Sequence, residues 1–354
     1  SSLVTAIVAK MQPGITAYTV RTGHGNDDEF ELACAIAKHT GVDHRVVELP
    51  PLTPALAAEM VAAWPEPLGD SSALPSWQVA RIAGADFRVV ITGDGGDEVQ
   101  GGYRGARMFA LRQLLGSHGG RSRLDALLRR QLDATGWRRE VAFKALRVLG
   151  STATSAGLCH HRLDEVAPTL LRADHRTAAH EDGWTATWTS AFMGAQTDDE
   201  LDRMMAADFS VYLPDDLCMK VDGATMAHSV EARAPLLDLD FVNACWGIRS
   251  LDRARPWVTK RIIRGLFRQV LPDGLMMRRK QGFSVGLGHL LDSAEVRARM
   301  AQVDAGELPA LAEVFAPRAY GRALRSPGLR GPDRGTLVWR LWWLAEWASL
   351  AANR

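Results

Sequence analysis

The sequence predicts an α/β fold, with a parallel sheet and crossover helices in the first third of the chain and a mainly helical remainder. In the first third, short strand-like runs alternate with longer stretches of helical periodicity, which is typical of β-α-β units. Beyond Tyr103 the strand patterns almost vanish. The chain of 354 residues is long enough for a sizeable core. We therefore expect one domain over 1–354, with an α/β part at 1–110 and a mainly helical part at 111–354.

The elements of the first third follow from periodicity and stop signals. Three runs rich in β-branched residues predict strands: ITAYTV (15–20), DHRVVEL (43–49) and FRVVIT (87–92). Four stretches with apolar residues on one helical face predict helices at 3–11, 30–37, 56–64 and 76–83. The QPG turn stops the first helix, and Gly41 can close the second in the left-handed conformation. The third strand ends at the edge where open α/β sheets bind ligands.

The helical remainder carries weaker signals. Basic residues alternate with leucines at helical spacing over 104–147, which favours solvated helices over a nucleic-acid site. Residues 150–200 lack strong periodicity and predict loops or a variable surface. The C-terminal stretch LVWRLWWLAEWASL places Trp339, Trp343 and Trp347 at helical spacing, which predicts a helix that faces the core. Its apolar run is too short to span a bilayer.

Charge and cysteine usage exclude several classes of protein. With 42 basic and 41 acidic residues the net charge is +1, so no overall field would recruit nucleic acid or an anionic membrane. The 4 scattered cysteines form no CxxC pair, which argues against a zinc site or a disulfide framework. We expect a soluble protein of the reducing cytoplasm without nucleic-acid or membrane partners. A homodimer stays open as an alternative to a monomer.

The stretch ITGDGGDE (91–98) follows the third strand and combines glycines with acids. Glycines after a buried strand let the backbone approach a ligand closely, and phosphates are frequent ligands there. Acids repel phosphates, but a carboxylate can hold Mg²⁺ and Mg²⁺ can hold phosphate oxygens. The pattern is neither a P-loop nor GxGxxG, because no lysine and hydroxyl follow and Glu98 stands where the last glycine belongs. The purely structural alternative is a tight turn in which Asp97 caps a helix.

Three further stretches gather charge. YLPDDLCMKVDGATMAHSVEARAPLLD (212–238) mixes carboxylates and cations with apolar residues, which indicates paired ions at a core or cleft. KRIIRGLFRQVLP (260–272) predicts an amphipathic basic helix. RRKQGFS (278–284) places its cations just before a glycine, and a loop of this kind can close on an anion.

These motifs resemble the synthetase domain of the asparagine synthetase family, which belongs to the ATP pyrophosphatases of the PP-loop kind. TGDGGDEVQGGY looks like the family's SG[ED]GxDExxGGY, the 212–238 stretch like its YLPDDLLxKxDRxSMAxSxExRxPxLD, and RRKQGFS like its lysine loop. The three motifs occur in family order. EPLGDSSALPSW (66–77) and the tryptophan-rich final helix agree with the family as well. The resemblance spans nearly the whole chain and implies the adenine nucleotide alpha hydrolase-like fold.

The resemblance implies that a substrate carboxylate attacks the α-phosphate of ATP and releases pyrophosphate, after which ammonia displaces AMP to give an amide. Aspartate is the default substrate, which makes asparagine the product, and ammonia normally comes from a glutaminase domain. Carried over by position, Asp97 would bind Mg²⁺ and Asp94 would orient or deprotonate ammonia. Lys280 and Lys260 would be catalytic cations that stabilise the charge on departing pyrophosphate. The positions expected beside ATP or pyrophosphate are Ser1, Ser2, Val20, Thr92, Gly93 and Lys280.

The chain also departs from the family pattern. Ser1 and Ser2 look like the last two residues of the PP-loop SGGxDSS, so we expect its strand, its glycines and one aspartate to lie upstream, together with the glutaminase domain. Gly223 stands where the family usually has arginine. One alternative is a degenerate nucleotide-binding or scaffold protein without catalysis. Another is a related amidotransferase or cyclase that acts on a different carboxylate, since the fold does not choose the acceptor. Segments 66–76 and 150–200 are expected to shape the acceptor pocket.

Overall fold

The computed structural model describes residues 1–21, 28–50, 52–115, 126–128, 166–176, 183–272, 275, 287, 293–325 and 331–352. The lysine loop at 278–284, with Lys280, lies outside the described residues, as do Cys159 and much of 104–147 and 150–200. What the sequence predicts for those positions stays a prediction.

The predicted alternation of strands and helices in the first third is present. The strands are β1 (Thr16–Arg21), β2 (Asp43–Glu48), β3 (Val89–Ile91) and β4 (Glu231–Arg233). The helices of the first third are α1 (Ser2–Met11), α2 (Asp28–Thr40), α3 (Pro54–Ala62) and α4 (Ala73–Asp86). Gly41 follows α2 with a φ of 71°, in the left-handed conformation predicted for it. All three predicted strands and all four predicted helices therefore form close to their expected bounds.

The remainder is mainly helical, as predicted. Its helices are α5 (Arg104–Leu114), α6 (Ala167–Leu170), α7 (Trp184–Gly194), α8 (Glu200–Ala207), α9 (Met219–Met226), α10 (Leu239–Trp246), α11 (Ser250–Arg253), α12 (Arg261–Val270), α13 (Ala294–Ala305), α14 (Pro309–Ala312), α15 (Ala319–Leu324) and α16 (Gly331–Ala351). A π-helix at Asp208–Cys218 and a 3₁₀-helix at Pro235–Leu237 complete the described elements. Within the described residues, no helix combines the length and the apolar character that crossing a membrane requires.

The strand pairing differs from the expectation of one sheet in the first third. β1 and β2 pair in parallel from Thr16 with Asp43 to Arg21 with Glu48, and α2 makes the crossover between them. β3 pairs instead with β4, also in parallel. β4 was not predicted, because its three residues, Glu-Ala-Arg, carry no strand periodicity. This pairing joins the glycine-acid loop after β3 to the charged 212–238 stretch.

The predicted packing role of the C-terminal tryptophans is confirmed. Trp339 and Trp343 of α16 are fully buried in the largest apolar cluster, and Trp347 packs against it. The ring of Trp343 lies 5.1 Å from that of Trp339 and 5.8 Å from that of Trp64, which belongs to the loop after α3. This aromatic core fixes the first third of the chain against its last helix.

The departure at Gly223 has a steric explanation. Gly223 lies in α9, and a Cβ atom there would meet the indole of Trp64, with Cδ1 and Cε2 at 2.6 Å. Trp64 is 1% exposed and donates a hydrogen bond from Nε1 to the carbonyl of Met219, at 3.1 Å. The indole therefore fills the space that an arginine side chain at this position would enter.

We expect Gly223→Ala to lower the free energy of unfolding by about 1 to 3 kcal/mol, because the added methyl overpacks a rigid core. The matched control is Gly265→Ala in α12, where a Cβ atom would meet nothing within 4 Å. That control should be neutral or stabilising by up to about 1 kcal/mol, since alanine favours the helix. Urea unfolding measures both, and equal effects in the two variants would contradict the steric account.

Candidate functional site

The glycine-acid loop is built into a tight chain of turns directly after β3. The backbone N–H of Thr92 donates to the carbonyl of Arg233 in β4, at 2.8 Å. Further on, Val99 N–H donates to Gly95 O at 3.0 Å and Gly102 N–H donates to Asp97 O at 2.8 Å. Gly95 has a φ of 84°, a conformation that glycine adopts without the steric cost other residues meet. The loop therefore presents Asp97 from a backbone held by its own hydrogen bonds.

Asp97 forms an ion pair with Lys260, although the two residues are far apart in sequence. Lys260 Nζ lies 2.9 Å from Asp97 Oδ2, and both side chains are mostly buried. The backbone N–H of Lys260 also donates to the carbonyl of Gln100, at 3.2 Å. Asp97 is the predicted Mg²⁺ ligand and Lys260 is a predicted cation beside pyrophosphate. The fold therefore brings these two predicted site residues together.

Lys260 has a strained backbone. It precedes α12 as its N-cap residue, with φ 54° and ψ 43°, which is the left-handed region. A residue other than glycine pays roughly 1–2 kcal/mol for this conformation. Strain of this kind tends to persist at functional sites, where surrounding contacts hold it in place. The strained turn carries the Lys260 side chain to the loop.

Gly102 allows the ion pair to lie against the backbone. A Cβ atom at this position would overlap Asp97 Oδ1, would lie 2.7 Å from Asp97 Cγ and would collide with Cε of Lys260. The absence of a side chain is therefore a geometric requirement of the Asp97–Lys260 pair.

The sequence predicts that Asp97 binds Mg²⁺, and on that prediction Gly102→Ala should displace the Asp97 carboxylate and weaken Mg²⁺-dependent activity by about 10- to 100-fold, the usual range for disturbing the surroundings of a metal ligand. Gly194→Ala, where a Cβ atom would meet nothing within 4 Å, is the control and should leave activity unchanged. Titrating activity against Mg²⁺ concentration distinguishes the two. An unchanged Mg²⁺ requirement in Gly102→Ala would show that the pair has no role in metal binding.

The start of α1 lies at the same place. A Cβ atom on Gly93 would lie 2.6 Å from Cα of Ser1, so the two backbones are in direct contact. The backbone nitrogen of Ser1 lies within electrostatic range of Lys260, Asp97 and Asp94. Ser2 begins the helix, whose N-terminal end offers free N–H groups and a partial positive charge. Within the described residues, the Ser1 side chain makes no capping hydrogen bond to α1. Helix capping therefore does not explain the serine at this position.

The fold therefore gathers five predicted site residues from three separate stretches of the sequence. They are Ser1, Gly93, Asp94, Asp97 and Lys260. The packing of α1 against α12 supports this arrangement, with Ala6, Ile36 and Leu271 buried in a common cluster.

Three further residues, Thr92, Val20 and Lys280, were predicted to lie beside ATP or pyrophosphate. Thr92 borders the loop, and its Oγ1 is buried without a hydrogen-bond partner among the described residues, which leaves a polar atom for a ligand to satisfy. Val20 is a buried residue of β1 that pairs with Val47, so its contact with a nucleotide stays a prediction. Lys280 lies outside the described residues.

The donor set fits a magnesium ion that is held mainly by its substrate. Among the described residues, no three His, Cys, Asp or Glu side chains form a group that could enclose a metal. Mg²⁺ usually keeps several waters and binds through one or two carboxylates together with substrate phosphates. Asp97 as a single carboxylate, in the same loop as the buried Thr92 hydroxyl that has no partner among the described residues, matches this mode rather than an all-protein cage.

The paired ions predicted for the 212–238 stretch include a buried pair whose second partner, Asp70, was not predicted. Lys220 Nζ lies 2.7 Å from Asp70 Oδ2 and 2.8 Å from Ser72 Oγ, and these partners are about 150 residues apart in sequence. Burial works to raise the pKa of Asp70, but Lys220 and the hydrogen bonds from Ser72 hold it below its ordinary value. The EPLGDSS segment, expected to shape the acceptor pocket, is thereby fastened to α9.

We call Asp70, Lys220, Tyr212 and Asp216 the polar wall of the site. Tyr103 and Glu98 connect this wall to the loop. The Tyr103 hydroxyl donates to Glu98, and the rings of Tyr103 and Tyr212 meet edge to face at 5.4 Å. Burial and the nearby charge of Glu98 raise the pKa of Tyr103, so this hydroxyl stays protonated and can donate. Burial and the charge of Asp70 raise the pKa of Asp216 to about 6.

The sequence contained one signal for this wall, the density of alternating charges in the 212–238 stretch. It did not reveal the π-helix that bears Tyr212 and Asp216, because the wider turn leaves no local pattern. π-Helical segments occur frequently at functional sites. The wall therefore extends the candidate site from the loop to the EPLGDSS segment.

Comparison with known proteins identifies the family of this chain. A family model described as asparagine synthase matches residues 1–349. A putative glutamine-hydrolysing asparagine synthetase of Mycobacterium tuberculosis (strain ATCC 25618 / H37Rv) is 26% identical over 336 residues, which cover 89% of this chain and 48% of that protein. The glutamine-hydrolysing asparagine synthetase 1 of Bacillus subtilis (strain 168) is 24% identical over 306 residues, covering 82% and 45% respectively.

The chain spans about half the length of the curated relatives it matches. The family model, in contrast, covers almost every residue of the chain. The stretch that it covers contains the glycine-acid loop, the 212–238 motif and the lysine loop. On this match, the chain belongs to the asparagine synthase family.

Proposed function

We propose that this chain is the ATP-using synthetase part of an amide-forming ligase, which adenylates a carboxylate and then transfers ammonia to it. The observation that carries the proposal is the meeting of Ser1, Gly93, Asp94, Asp97 and Lys260 at one place. A helix N-terminus, a carboxylate for metal and a fixed cation are the three elements that phosphoryl chemistry on ATP requires. The relatives' names support a ligase that makes asparagine.

The N-terminal end of α1 would receive the phosphates of ATP. Its free N–H groups favour a negatively charged ligand, and Gly93, which has no side chain, lets the loop backbone contact Ser1 directly. Thr92 Oγ1, buried and without a partner in the described residues, would gain a hydrogen bond on the nucleotide side. Val20 is proposed as a further nucleotide contact at the end of β1.

Asp97 would hold Mg²⁺. When bound, the ion would neutralise the negative charge that develops on phosphate oxygens as pyrophosphate leaves. Lys260 adds a positive charge at the same place, and the strained turn before α12 orients it in advance of the reaction. We propose the same function for Lys280 from the opposite side. Asp94 would orient ammonia or accept a proton from it as the amide forms.

The wall formed by Asp70, Lys220, Tyr212 and Asp216 would line the acceptor side of the site. Aspartate is the proposed substrate, and the wall does not by itself distinguish aspartate from other carboxylates. A glutaminase domain is proposed as the source of ammonia, because the matched relatives are named as glutamine-hydrolysing asparagine synthetases.

The proposal is tested by measuring pyrophosphate release from ATP with ammonium chloride, Mg²⁺ and a panel of carboxylates. We expect the full-length protein to release pyrophosphate with aspartate, and to form AMP and asparagine in equal amounts. Pyrophosphate release with a different carboxylate would replace aspartate as the substrate and leave the proposed adenylation unchanged. ATP binding without turnover under all conditions would favour a nucleotide-binding scaffold protein without catalysis.

A further inference from the structure

One short segment, residues 253–260, makes hydrogen bonds and packing contacts with the loop that carries Asp97. Arg253 donates from Nη1 to the carbonyl of Val99, at 3.2 Å. Ala254 lies against Gly101, where a Cβ atom would come within 2.9 Å of its methyl group. The N–H of Lys260 donates to the carbonyl of Gln100, at 3.2 Å. Three consecutive loop residues, the ones that follow Asp97 and Glu98, are thus each contacted by this segment.

Arg253 is the anchor of that segment. Its guanidinium is fully buried, with 0% of the side chain exposed. Besides Val99 it donates from Nε to the carbonyl of Ile248, at 3.1 Å, and from Nη2 to the Asp202 carboxylate on α8. Its charged end also lies 4.5 Å from the ring centre of Trp246, which is within cation–π range. One side chain therefore ties the loop to α8, α10 and the turn before α11.

The planar guanidinium of Arg253 donates hydrogen bonds in several directions at once. It therefore holds its acceptors in a more fixed geometry than the flexible ammonium group of a lysine would. The Asp202 pair lies in poorly hydrated surroundings, since burial raises the pKa of Asp202 to about 6 even though Arg253 opposes the shift. An anchor of this type holds its acceptors rigidly, because leaving the Val99 carbonyl or the Asp202 charge without its donor is costly.

We propose that Arg253 is a positioning residue for the reaction: it sets the register of the loop through Val99 and thereby holds Asp97 and Lys260 in the geometry that Mg²⁺ and ATP require. This inference rests on the proposed function of Asp97. It adds a residue that touches neither ATP nor the metal ion. Surroundings that orient metal ligands typically change metal affinity or activity by about 10- to 100-fold when they are altered.

Arg112 offers a matched control within the same helical layer. It pairs with Glu200 on α8, at 2.7 Å, and its guanidinium lies 5.6 Å from the ring centre of Phe109 on its own helix. Arg253 and Arg112 are therefore both largely buried, pair with α8 and stack on an aromatic ring. They differ in the hydrogen bond from Arg253 to the loop.

The test compares Arg253→Lys with Arg112→Lys in the full-length protein. Mn²⁺ binding in the presence of α,β-methylene ATP is followed by electron paramagnetic resonance at a temperature where both variants are folded, and thermal melting is recorded alongside. We expect both variants to melt earlier than wild type, and only Arg253→Lys to weaken Mn²⁺ binding, by about tenfold or more. Equal Mn²⁺ affinities in Arg253→Lys and Arg112→Lys would overturn the positioning role.

A second pair keeps the test decisive if Arg253→Lys does not fold. Asp202→Asn leaves the guanidinium in place but removes its charged partner, and Glu200→Gln does the same for Arg112. Weaker Mn²⁺ binding in Asp202→Asn alone supports the inference, and equal binding in the two overturns it. Asp97→Asn is run beside them. If it binds Mn²⁺ as wild type does, the metal assignment of Asp97 in the proposed function fails, whatever the arginine variants show.

Discussion

Asp97→Asn should abolish Mg²⁺-dependent adenylation in the full-length protein, with a loss of about a hundredfold or more in pyrophosphate release. Asparagine has nearly the same shape and can still accept a hydrogen bond from Lys260, so the fold should be retained. It lacks the negative charge that holds Mg²⁺, a hard cation that prefers anionic oxygen ligands. The measurement is pyrophosphate release as a function of Mg²⁺ concentration, with melting temperature recorded for each protein.

Asp86→Asn is the control for this prediction. Asp86 forms a surface ion pair with Arg45 at 2.5 Å, and both side chains are 45% exposed. Pairs of this kind contribute only about 0 to 1 kcal/mol to stability, and this one lies away from the loop, so activity should be unchanged. Asparagine caps turns about as well as aspartate. If Asp97→Asn kept its activity, Asp97 would be a structural turn residue without a role in metal chemistry.

Lys260→Gly should lower turnover by about a hundredfold or more while leaving the protein folded. The loss is expected because a fixed cation is removed from phosphate oxygens on which charge develops. The fold should be retained because glycine adopts the left-handed conformation of position 260 freely, which relieves roughly 1–2 kcal/mol of backbone strain. That gain offsets part of the cost of leaving Asp97 without its cation. Steady-state kinetics and urea unfolding give the two quantities separately.

Arg318→Gly is the matched control. Arg318 is also an N-cap residue with a left-handed backbone, at φ 56° before α15, and it is not part of the candidate site. The same glycine substitution there should relieve similar strain and leave turnover unchanged. A turnover loss of similar size in both variants would show that the effect of Lys260→Gly comes from the backbone and not from the missing cation.

The sequence was sufficient to locate the loop and the charged residues that meet there. Glycines and acids at the end of an apolar strand indicated a metal-assisted phosphate site, and the fold places Asp97 and Lys260 together as that interpretation requires. It was also sufficient for the alternation of α1, β1, α2 and β2, since helical and strand periodicity are local properties of a few consecutive residues.

The sequence was not sufficient for the partner of β3. Its apolar run predicted a strand, but the short Glu-Ala-Arg segment that pairs with it has no strand pattern of its own. Pairing is decided by the whole fold, which brings the 212–238 stretch beside the loop. The expectation that β3 would join β1 and β2 assumed that neighbours in sequence are neighbours in the sheet.

What the sequence by itself determined is the set of charged side chains and the local elements that carry them, because residue type and periodicity are properties of a few consecutive turns of chain. What only the tertiary structure decided is which of these side chains meet. Lys220 and Asp70 pair across about 150 residues, the indole of Trp64 requires glycine at position 223, and Arg253 reaches the carbonyl of Val99. Contacts of this kind depend on how the elements pack in three dimensions, and no local pattern records that packing.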